Sequence, residues 1–206
     1  MPKRVDHAQR RTEIAEALVR VAGRRGLHAV GMRDVAAEAG VSLRLVQYYF
    51  ETKEKLLLFG LQHLTERFGE RVAARVRAAG SGAAGSGPGP RAVIEALLTA
   101  ALPTDDESRT FHFLYTSYAV LAVTDEALAA QPFIASPDAA EDTLTGLLRQ
   151  AQEARLAGAG IDARGEAAAL LAMSAGLGTG ILVGQRSPES ATAILDLHLN
   201  RIFQVD

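Results

Sequence analysis

Hydrophobic residues recur at intervals of three and four along most of the chain, the spacing that places them on one face of an α-helix. The longest such stripe runs from Leu57 to Val76, in a helix that begins after Thr52 as its N-cap. No segment alternates polar and apolar residues for long enough to predict a β-strand. The pattern therefore predicts an all-α protein, with helices over residues 8–25, 32–39, 43–49, 53–78, 91–101, 107–123, 137–157, 163–184 and 188–203.

Glycine, serine and proline dominate residues 80–90 and interrupt the helical pattern. This composition is typical of a flexible loop, and the segment lacks the Gly-Lys-Ser/Thr ending of a phosphate-binding loop. We predict a domain over residues 1–52 and a second over 53–206, with the helix over 53–78 connecting them.

Charge is distributed unevenly along the chain. Residues 1–60 contain 11 basic and 7 acidic side chains, a balance of +4, whereas residues 61–206 contain 11 and 17, a balance of −6. A basic surface attracts a polyanion such as nucleic acid, and an acidic one repels it. The net charge of −2 therefore conceals a basic N-terminal part, which is the first indication of function.

Several classes of function are excluded or disfavoured. The chain has no cysteine, which excludes a disulfide scaffold, a thiolate metal site and a cysteine nucleophile. The five histidines form no His-x-x-x-His pair, and no Gly-x-Ser-x-Gly motif occurs. Three acids, Asp138, Glu141 and Asp142, follow Ser136 and Pro137 at the start of a helix. The helix dipole stabilises acids at this end, so their clustering does not require a metal ion. We expect neither an enzyme nor a bound cofactor.

The N-terminus and one uncharged segment indicate where in the cell the protein is expected. The N-terminus is charged and lacks the apolar stretch of a signal peptide, which predicts a cytoplasmic protein. Residues 167–185 carry no charge and approach the roughly 20 residues of a membrane-spanning helix. Only seven of these 19 residues are large and apolar, and most of the others are Ala and Gly, so we expect this segment to be buried in protein rather than in lipid.

Residues 32–51 have the pattern of a helix-turn-helix. Gly40 lies where the turn needs a positive φ, and Ser42 can cap the second helix. The side chains expected on the buried side are Val35, Ala39, Val41 and Val46, and those expected to point outward are Leu43, Arg44, Gln47 and Tyr48. Two short helices joined by a glycine turn also occur in proteins that bind no DNA, so the pattern alone leaves both readings open.

The run from Asp34 to Ser42, followed by Tyr49 to Leu57, resembles the signature of TetR-family transcriptional regulators. That signature has an Ile/Val-Ala…Ala-Gly-Val-Ser turn, an aromatic residue before Phe, and then Ser/Thr-Lys-Glu-x-Leu. The similarity spans about residues 8–68, and the segment from Arg109 to Ala130 resembles the betaine-responsive branch of the family.

The resemblance implies a fold and a function. The fold is an N-terminal three-helix helix-turn-helix domain, joined by a long fourth helix to a helical domain that binds a ligand and dimerises. The function is that of a homodimeric repressor, which a small-molecule effector releases from a palindromic operator in double-stranded DNA. The alternative is a ligand-independent regulator or activator with a closed C-terminal core.

The second helix of the motif departs from the family pattern. Most members have Gly or Pro, then Ser or Thr, an apolar residue and Tyr, where this chain has Arg44, Leu45, Val46 and Gln47. The contacts transferred to Leu45 and Gln47 are therefore in doubt. The chemistry of the new side chains instead suggests that Arg44 pairs with guanine and Gln47 with adenine.

Phosphate contacts are expected around this helix. Lys53 lies in the first turn of the fourth helix, where an anion is favoured, and Tyr49 matches the phosphate-contacting position of the family. The arm residues Lys3, Arg4, Arg10 and Arg11 either add to the basic face or form a solvated tail. The predicted DNA-contacting residues are Arg33, Ser42, Leu43, Arg44, Leu45, Gln47, Tyr48, Tyr49 and Lys53.

The last two helices are predicted to form the dimer interface. Glycines recur every four residues on one face of the helix over 163–184, which lets another helix approach closely. The predicted interface residues are Ala172, Gly176, Gly180, Gly184, Leu195 and Leu199. Packing within one subunit is the alternative explanation.

A ligand pocket, if present, is expected in the C-terminal domain, with apolar walls and a few polar groups. The candidate lining residues are His63, Phe111, His112, Tyr115, Tyr118, Phe133 and Met173. Each of them could equally be a filled core position.

Overall fold

The computed structural model describes residues 7–80, 88–131 and 138–203. These residues contain ten α-helices and no β-strand, which confirms the predicted all-α fold. A 3₁₀ turn over Leu27–Ala29 separates the first two helices. In chain order the helices are α1 (His7–Arg25), α2 (Met32–Glu38), α3 (Leu43–Phe50), α4 (Lys53–Gly80), α5 (Pro90–Ala100), α6 (Asp106–Ala122), α7 (Glu126–Ala129), α8 (Asp138–Glu153), α9 (Ala163–Leu182) and α10 (Pro188–Ile202).

Helix caps explain why the observed boundaries lie close to the predicted ones. Thr52 caps α4 by accepting a hydrogen bond from the N–H of Lys55 at 3.3 Å. Ser187 caps α10 in the same way, from the N–H of Ser190 at 3.2 Å. The pattern did not predict the 3₁₀ turn or α7. The predicted cap at residues 136–137 and most of the predicted loop lie outside the described residues.

The chain divides into two compact units. Unit 1 comprises residues 1–67 and 113–134, and unit 2 comprises residues 68–112 and 135–206. Both α4 and α6 contribute residues to each unit. The unit that contains the helix-turn-helix therefore extends beyond residue 52, whereas the functional boundary placed there remains a prediction.

Unit 1 is stabilised by an apolar core and by ion pairs between α1 and α2. Its core includes Ile14, Leu18 and Leu61, all of them almost completely buried. At the surface, Glu38 accepts hydrogen bonds from both Arg20 and Arg24, and Arg25 pairs with Asp34 at 2.6 Å. These hydrogen bonds, that of Arg24 foremost, hold the pKa of Glu38 below its ordinary value.

Unit 2 has a core in which small and large side chains alternate. The contacts are between α8 and α9, α8 and α5, and α9 and α10. Ala151, Ala167 and Ala191 are completely buried, which allows the helix backbones to approach each other closely. The larger buried members of the core are Ile94, Leu98, Leu102, Leu144, Leu148, Leu170, Leu177, Ile181, Leu195, Leu199 and Ile202.

Candidate nucleic-acid interface

The turn between α2 and α3 is built around Gly40. Its φ of +65° lies in the left-handed region, where an L side chain is strained. The N–H of Val41 closes the turn by donating to the carbonyl of Ala36 at 2.9 Å. Ser42 then caps α3 by accepting the N–H of Leu45 at 3.2 Å. The turn and the cap together fix where α3 begins and which way it points.

The two faces of α3 differ in exposure. Val46 and Phe50 are buried and anchor the helix in unit 1, and Val35 on α2 is buried as predicted. Ala39 and Val41, also predicted to be buried, are half-buried.

The outward side of α3 carries the side chains that can read bases. Arg44, Gln47 and Tyr48 are exposed, and Tyr48 has 69% of its area accessible. Leu43 and Leu45 are half-buried at the borders of this side, so Leu43 points outward less than expected. An exposed arginine and an exposed amide are the side chains that pair with guanine and with adenine in the major groove.

Ion pairing separates the cations of unit 1 into two groups. Five of them form salt bridges with acids of the same unit: Arg10 with Glu13, Arg20 and Arg24 with Glu38, Arg25 with Asp34, and Lys55 with Glu51. Three cations in or beside the helix-turn-helix form no hydrogen bond or salt bridge of their side chains with any described residue, namely Arg33, Arg44 and Lys53. All three were predicted to contact DNA, and they remain available to an anion.

The predicted phosphate contacts lie where α3 meets α4. Tyr49 and Lys53 are both half-buried, and Lys53 is the first residue of α4. The N–H groups of a first helical turn favour an anion, and here the Glu54 carboxylate already benefits, since hydrogen bonds from its own backbone and from Thr52 lower its pKa. A phosphate at Lys53 would share this turn with Glu54, and the contact itself remains a prediction.

Of the four predicted arm residues, the two that the structure describes, Arg10 and Arg11, each have a partner within unit 1. Lys3 and Arg4 lie outside the described residues. Arg10 is paired with an acid, as stated above, and the guanidinium of Arg11 lies over the ring of Phe59, 4.3 Å from its centroid. A second ring, that of Phe50, is 5.3 Å away. Arg11 is thus held by a cation–π contact that links α1 to α4.

Two of the predicted pocket residues, Tyr118 and Phe111, are packed against other residues of their own unit. Tyr118 is buried in unit 1 and donates a hydrogen bond to the carbonyl of Leu57 at 3.0 Å. In unit 2 the ring of Phe111 stacks on Phe68, with centroids 4.3 Å apart and an interplanar angle of 8°. Both arrangements match the core alternative stated above.

The remaining predicted pocket residues differ in burial and in what is known of their polar atoms. His63 is half-buried, and its Nε2 is buried without a hydrogen-bond partner among the described residues. Tyr115 is half-buried, and burial raises the pKa of its phenol. Met173 is half-buried against the core of unit 2, and Phe133 lies outside the described residues.

His112 is a buried histidine with a partner for each ring nitrogen. Nδ1 lies 3.3 Å from the carbonyl oxygen of Ala101, and Nε2 lies 3.3 Å from Oγ1 of Thr179. Burial lowers the pKa of His112, while the hydrogen bond to Ala101 opposes this effect. Because a carbonyl can only accept, the neutral ring places its proton on Nδ1, and Nε2 accepts.

Gly178 makes room for this ring. A Cβ at residue 178 would overlap atoms of the His112 imidazole, so only glycine fits here without displacing it. No sequence motif marks this role, because the ring comes from a helix far away in the chain.

The predicted dimer residues fall into two groups. Leu195 and Leu199 are completely buried in the core of unit 2, so their assignment to a surface between subunits is wrong for this arrangement of the helices. A spacing of four residues places both leucines on one face of the helix. Whether that face packs inside one subunit or against a second subunit is decided by the tertiary structure. Gly180 is buried too, next to Arg186. Ala172, Gly176 and Gly184 are exposed.

Two further observations concern alternatives that the sequence raised. Of the described helices, α9 is long and apolar enough to cross a membrane, yet eight of its residues are buried inside unit 2, as in the core helix of a globular domain. The described residues contain no group of three or more His, Asp or Glu side chains that could hold a metal ion.

Comparison with known proteins places these features in a family. Residues 14–58 match the model of "Bacterial regulatory proteins, tetR family", and residues 90–204, more than half of the chain, match that of "BetI-type transcriptional repressor, C-terminal". The regulator PksA of Bacillus subtilis is 42% identical over 72 residues, which are 35% of this chain and 35% of PksA. The regulator BetI of Brucella canis is 38% identical over 79 residues, 38% of this chain and 40% of BetI.

Sequence similarity thus spans about 40% or less of the length of these curated relatives, whereas structural similarity spans nearly the whole chain. A regulator from Saccharomonospora viridis, solved in complex with choline, superposes with a TM-score of 0.84 over 96% of this chain and 99% of its own. At 24% identity this likeness shows a shared fold. The chain, with its helix-turn-helix and its BetI-type C-terminal domain, therefore belongs to the TetR family of bacterial transcriptional regulators.

Proposed function

We propose that the protein is a homodimeric repressor that binds a palindromic operator in the cytoplasm and leaves it when a small-molecule effector binds the C-terminal domain. The observation that carries the proposal is the group of unpaired cations, Arg33, Arg44 and Lys53, in a unit where most other cations are paired. A cation without a salt bridge can bind a phosphate or the edge of a guanine without first breaking an internal ion pair.

Two kinds of contact are expected at this surface. Arg44 and Gln47, exposed on α3, read base edges and supply sequence preference. Arg33, Tyr49 and Lys53 contact phosphates and supply affinity that does not depend on sequence. If the arm residues Lys3 and Arg4 bind phosphates along with Arg33 and Lys53, about four phosphates are neutralised per subunit, and the slope of log K against log salt is near −7 for the dimer.

Dimerisation follows from the small size of one recognition helix. One helix reads only a few base pairs, so two subunits must read half-sites about 34 Å apart. Ala172 and Gly176 are exposed on α9 and allow close approach, and two apolar side chains are exposed near them in the chain, Val183 directly after α9 and Leu197 on α10. An exposed apolar patch of this kind favours contact with a second subunit.

The effector is proposed to be a small molecule that meets polar groups in a largely apolar surrounding. The related regulator from Saccharomonospora viridis was solved with choline, which makes choline the first compound to test. His63, with its unpartnered Nε2, and the half-buried Tyr115 are the polar groups that a ligand would use.

A ligand-independent regulator is the second candidate, and one observation favours it. Phe111 and Tyr118, which were expected to line a pocket, are occupied by contacts with Phe68 and Leu57. Isothermal titration calorimetry with choline separates the candidates when it is combined with DNA binding. Heat of binding together with release from DNA supports an effector-controlled repressor, and DNA binding that ignores every compound tested supports the alternative.

The DNA-binding surface is tested by two substitutions with a matched control. Operator DNA is first selected from a random-sequence library, and affinities are measured by fluorescence anisotropy for the selected duplex and for a scrambled one. Arg44→Ala should cost roughly 1–3 kcal/mol on the selected duplex and relax the preference at one position of each half-site. Lys53→Ala should weaken both duplexes equally and reduce the salt slope by about 1 per subunit. Lys55→Ala, next to Lys53 but paired with Glu51, should change neither.

Two results would contradict this assignment. If Arg44→Ala and Lys53→Ala lowered the affinity for both duplexes in the same way, the division into base-reading and phosphate contacts would be wrong. If binding did not depend on salt, phosphates would not be the main partners.

A further inference from the structure

The first residue of α1 lies against the recognition helix through aromatic rings. The ring of His7 contacts Tyr49 edge to face, with centroids 5.7 Å apart and an interplanar angle of 62°. On its other side Tyr49 meets Tyr48, at 5.3 Å and 79°. The three rings therefore form a continuous row from the start of α1 to the outward side of α3.

The position of Tyr49 on α3 shows where this row lies relative to DNA. At 100° per residue, Tyr49 falls between the buried side of α3, which carries Val46 and Phe50, and the exposed side, which carries Tyr48. It therefore occupies one flank of the helix, and the His7 ring lies beside that flank.

The dimensions of the DNA groove determine what a flanking side chain meets. The major groove is about 12 Å wide, and a helix with its side chains is about 10–12 Å across. A recognition helix therefore fills the groove, and groups beside its flanks meet the phosphates that border the groove. His7 is in this position, and its ring nitrogens form no hydrogen bond with any described residue.

We propose that His7 is a phosphate-contacting residue of the DNA interface, where its imidazole N–H donates a hydrogen bond to the backbone at the edge of the major groove. Tyr49 supports the ring from the side and leaves the nitrogens free. Gln9 and Arg10, which share the first turn of α1, are both bound to Glu13 and cannot replace it without breaking those contacts. This inference rests on the proposed binding of operator DNA through α3.

The test uses two substitutions at His7 in the full-length protein. His7→Phe keeps an aromatic ring against Tyr49 but has no N–H, and His7→Lys replaces the donor by a permanent cation. We expect His7→Phe to weaken binding of the selected and the scrambled duplex by the same factor, roughly threefold to tenfold per subunit. His7→Lys should retain the affinity and make the salt slope steeper than that of His7→Phe by about 0.9 per subunit.

His28 provides the matched control. It is an exposed histidine of the same unit, beyond the opposite end of α1, and α1 is roughly 28 Å long at 1.5 Å per residue. His28→Phe and His28→Lys should leave affinity and salt slope close to those of the wild type. Circular dichroism on each variant verifies that the helices are intact.

Distinct results separate the failure of this inference from the failure of the proposed function. If the wild type retains a specific sequence but His7→Phe binds it equally well, with the same salt slope as His7→Lys, His7 makes no phosphate contact and the inference is wrong. The same holds if His7→Phe lowers affinity for the selected duplex alone. If the wild type selects no sequence at all, the proposed function fails first.

Discussion

The partner of a side chain decides what that side chain is able to do. Arg24 and Arg44 belong to the same basic segment, but Arg24 is bound to Glu38, whereas Arg44 has no such acid among the described residues. Composition cannot separate them, since arginine is by far the commonest basic residue throughout the chain. The salt bridge that forms on folding therefore occupies Arg24, and Arg44 is left as the arginine that we propose to read DNA.

A prediction at this scale concerns the space that Gly178 leaves for the His112 ring. Gly178→Ala places a methyl group inside the space of the imidazole, so the ring must leave Ala101 and Thr179. We expect a loss of about 1–3 kcal/mol in the free energy of unfolding, the usual cost of overpacking a buried site. Urea denaturation followed by circular dichroism measures it.

The control for this substitution is another helical glycine of unit 2. A Cβ at Gly146 would meet no heavy atom within 4 Å, and the residue is exposed. Gly146→Ala should therefore stabilise the protein slightly, by about 0.5–1 kcal/mol, because alanine has the higher helix propensity. If both substitutions had the same effect, the close contact of Gly178 with His112 would carry no energetic weight.

At the scale of helices, ion pairs hold α4 to the turn that precedes α6. Arg71 on α4 donates to the carbonyl of Ala100 at 3.2 Å and bonds to the carboxylate of Asp105. Burial alone would raise the pKa of Asp105, but hydrogen bonds from Arg71 and Ser108 lower it to about 2. The charged form of Asp105 is thus favoured by folding.

This shift predicts how stability depends on pH. A carboxyl whose pKa is lower in the folded state stabilises the protein above its unfolded pKa, about 3.8, and loses that effect as the pH falls towards 2. Asp105→Asn should therefore lower the melting temperature at pH 7, and the difference from the wild type should shrink between about pH 4 and pH 2. Differential scanning calorimetry over this range measures it.

Asp106 gives a comparison one residue away. It starts α6 and is exposed, and its carboxylate has no hydrogen bond or salt bridge to a described residue. Asp106→Asn should shift the melting temperature less than Asp105→Asn at pH 7. A difference between Asp105→Asn and the wild type that stayed constant from pH 7 to pH 2 would show that the Asp105 charge is not responsible.

At the scale of the whole molecule, the proposed operator recognition requires a second subunit, and we expect exposed apolar side chains to form the surface between subunits. Leu197 on α10 has 54% of its area exposed, and Val183 after α9 has 63%. We predict that Leu197→Glu converts a dimer into monomers, because it places a charge in the proposed interface. Light scattering coupled to size-exclusion chromatography measures the mass.

Val120 on α6 serves as the control for this prediction, since it is 66% exposed and lies in unit 1. Val120→Glu should leave the mass and the DNA affinity unchanged, while Leu197→Glu should weaken operator binding along with dimerisation. A Leu197→Glu protein that stayed dimeric would move the interface away from this part of α10.

Several helices and their boundaries could be predicted because they depend on local properties of the sequence. Gly40 fixes the turn through its φ, and Ser42, Thr52 and Ser187 start helices through bonds to residues three positions away. The basic charge of residues 1–60 and the family signature need no contacts at long range either. The sequence by itself therefore determined an all-α regulator with its DNA-binding domain at the N-terminus.

Contacts between distant residues decided the rest. Leu195 and Leu199 have the spacing of an interface, but packing buried them in the core, and Arg11 lies on an aromatic ring of α4 rather than free in the basic face. The contact of the His112 ring with Gly178 joins residues that are far apart in the chain. The same is true of the row of rings from His7 to Tyr48. Helical periodicity shows which residues share a face, but only tertiary packing determines what that face meets.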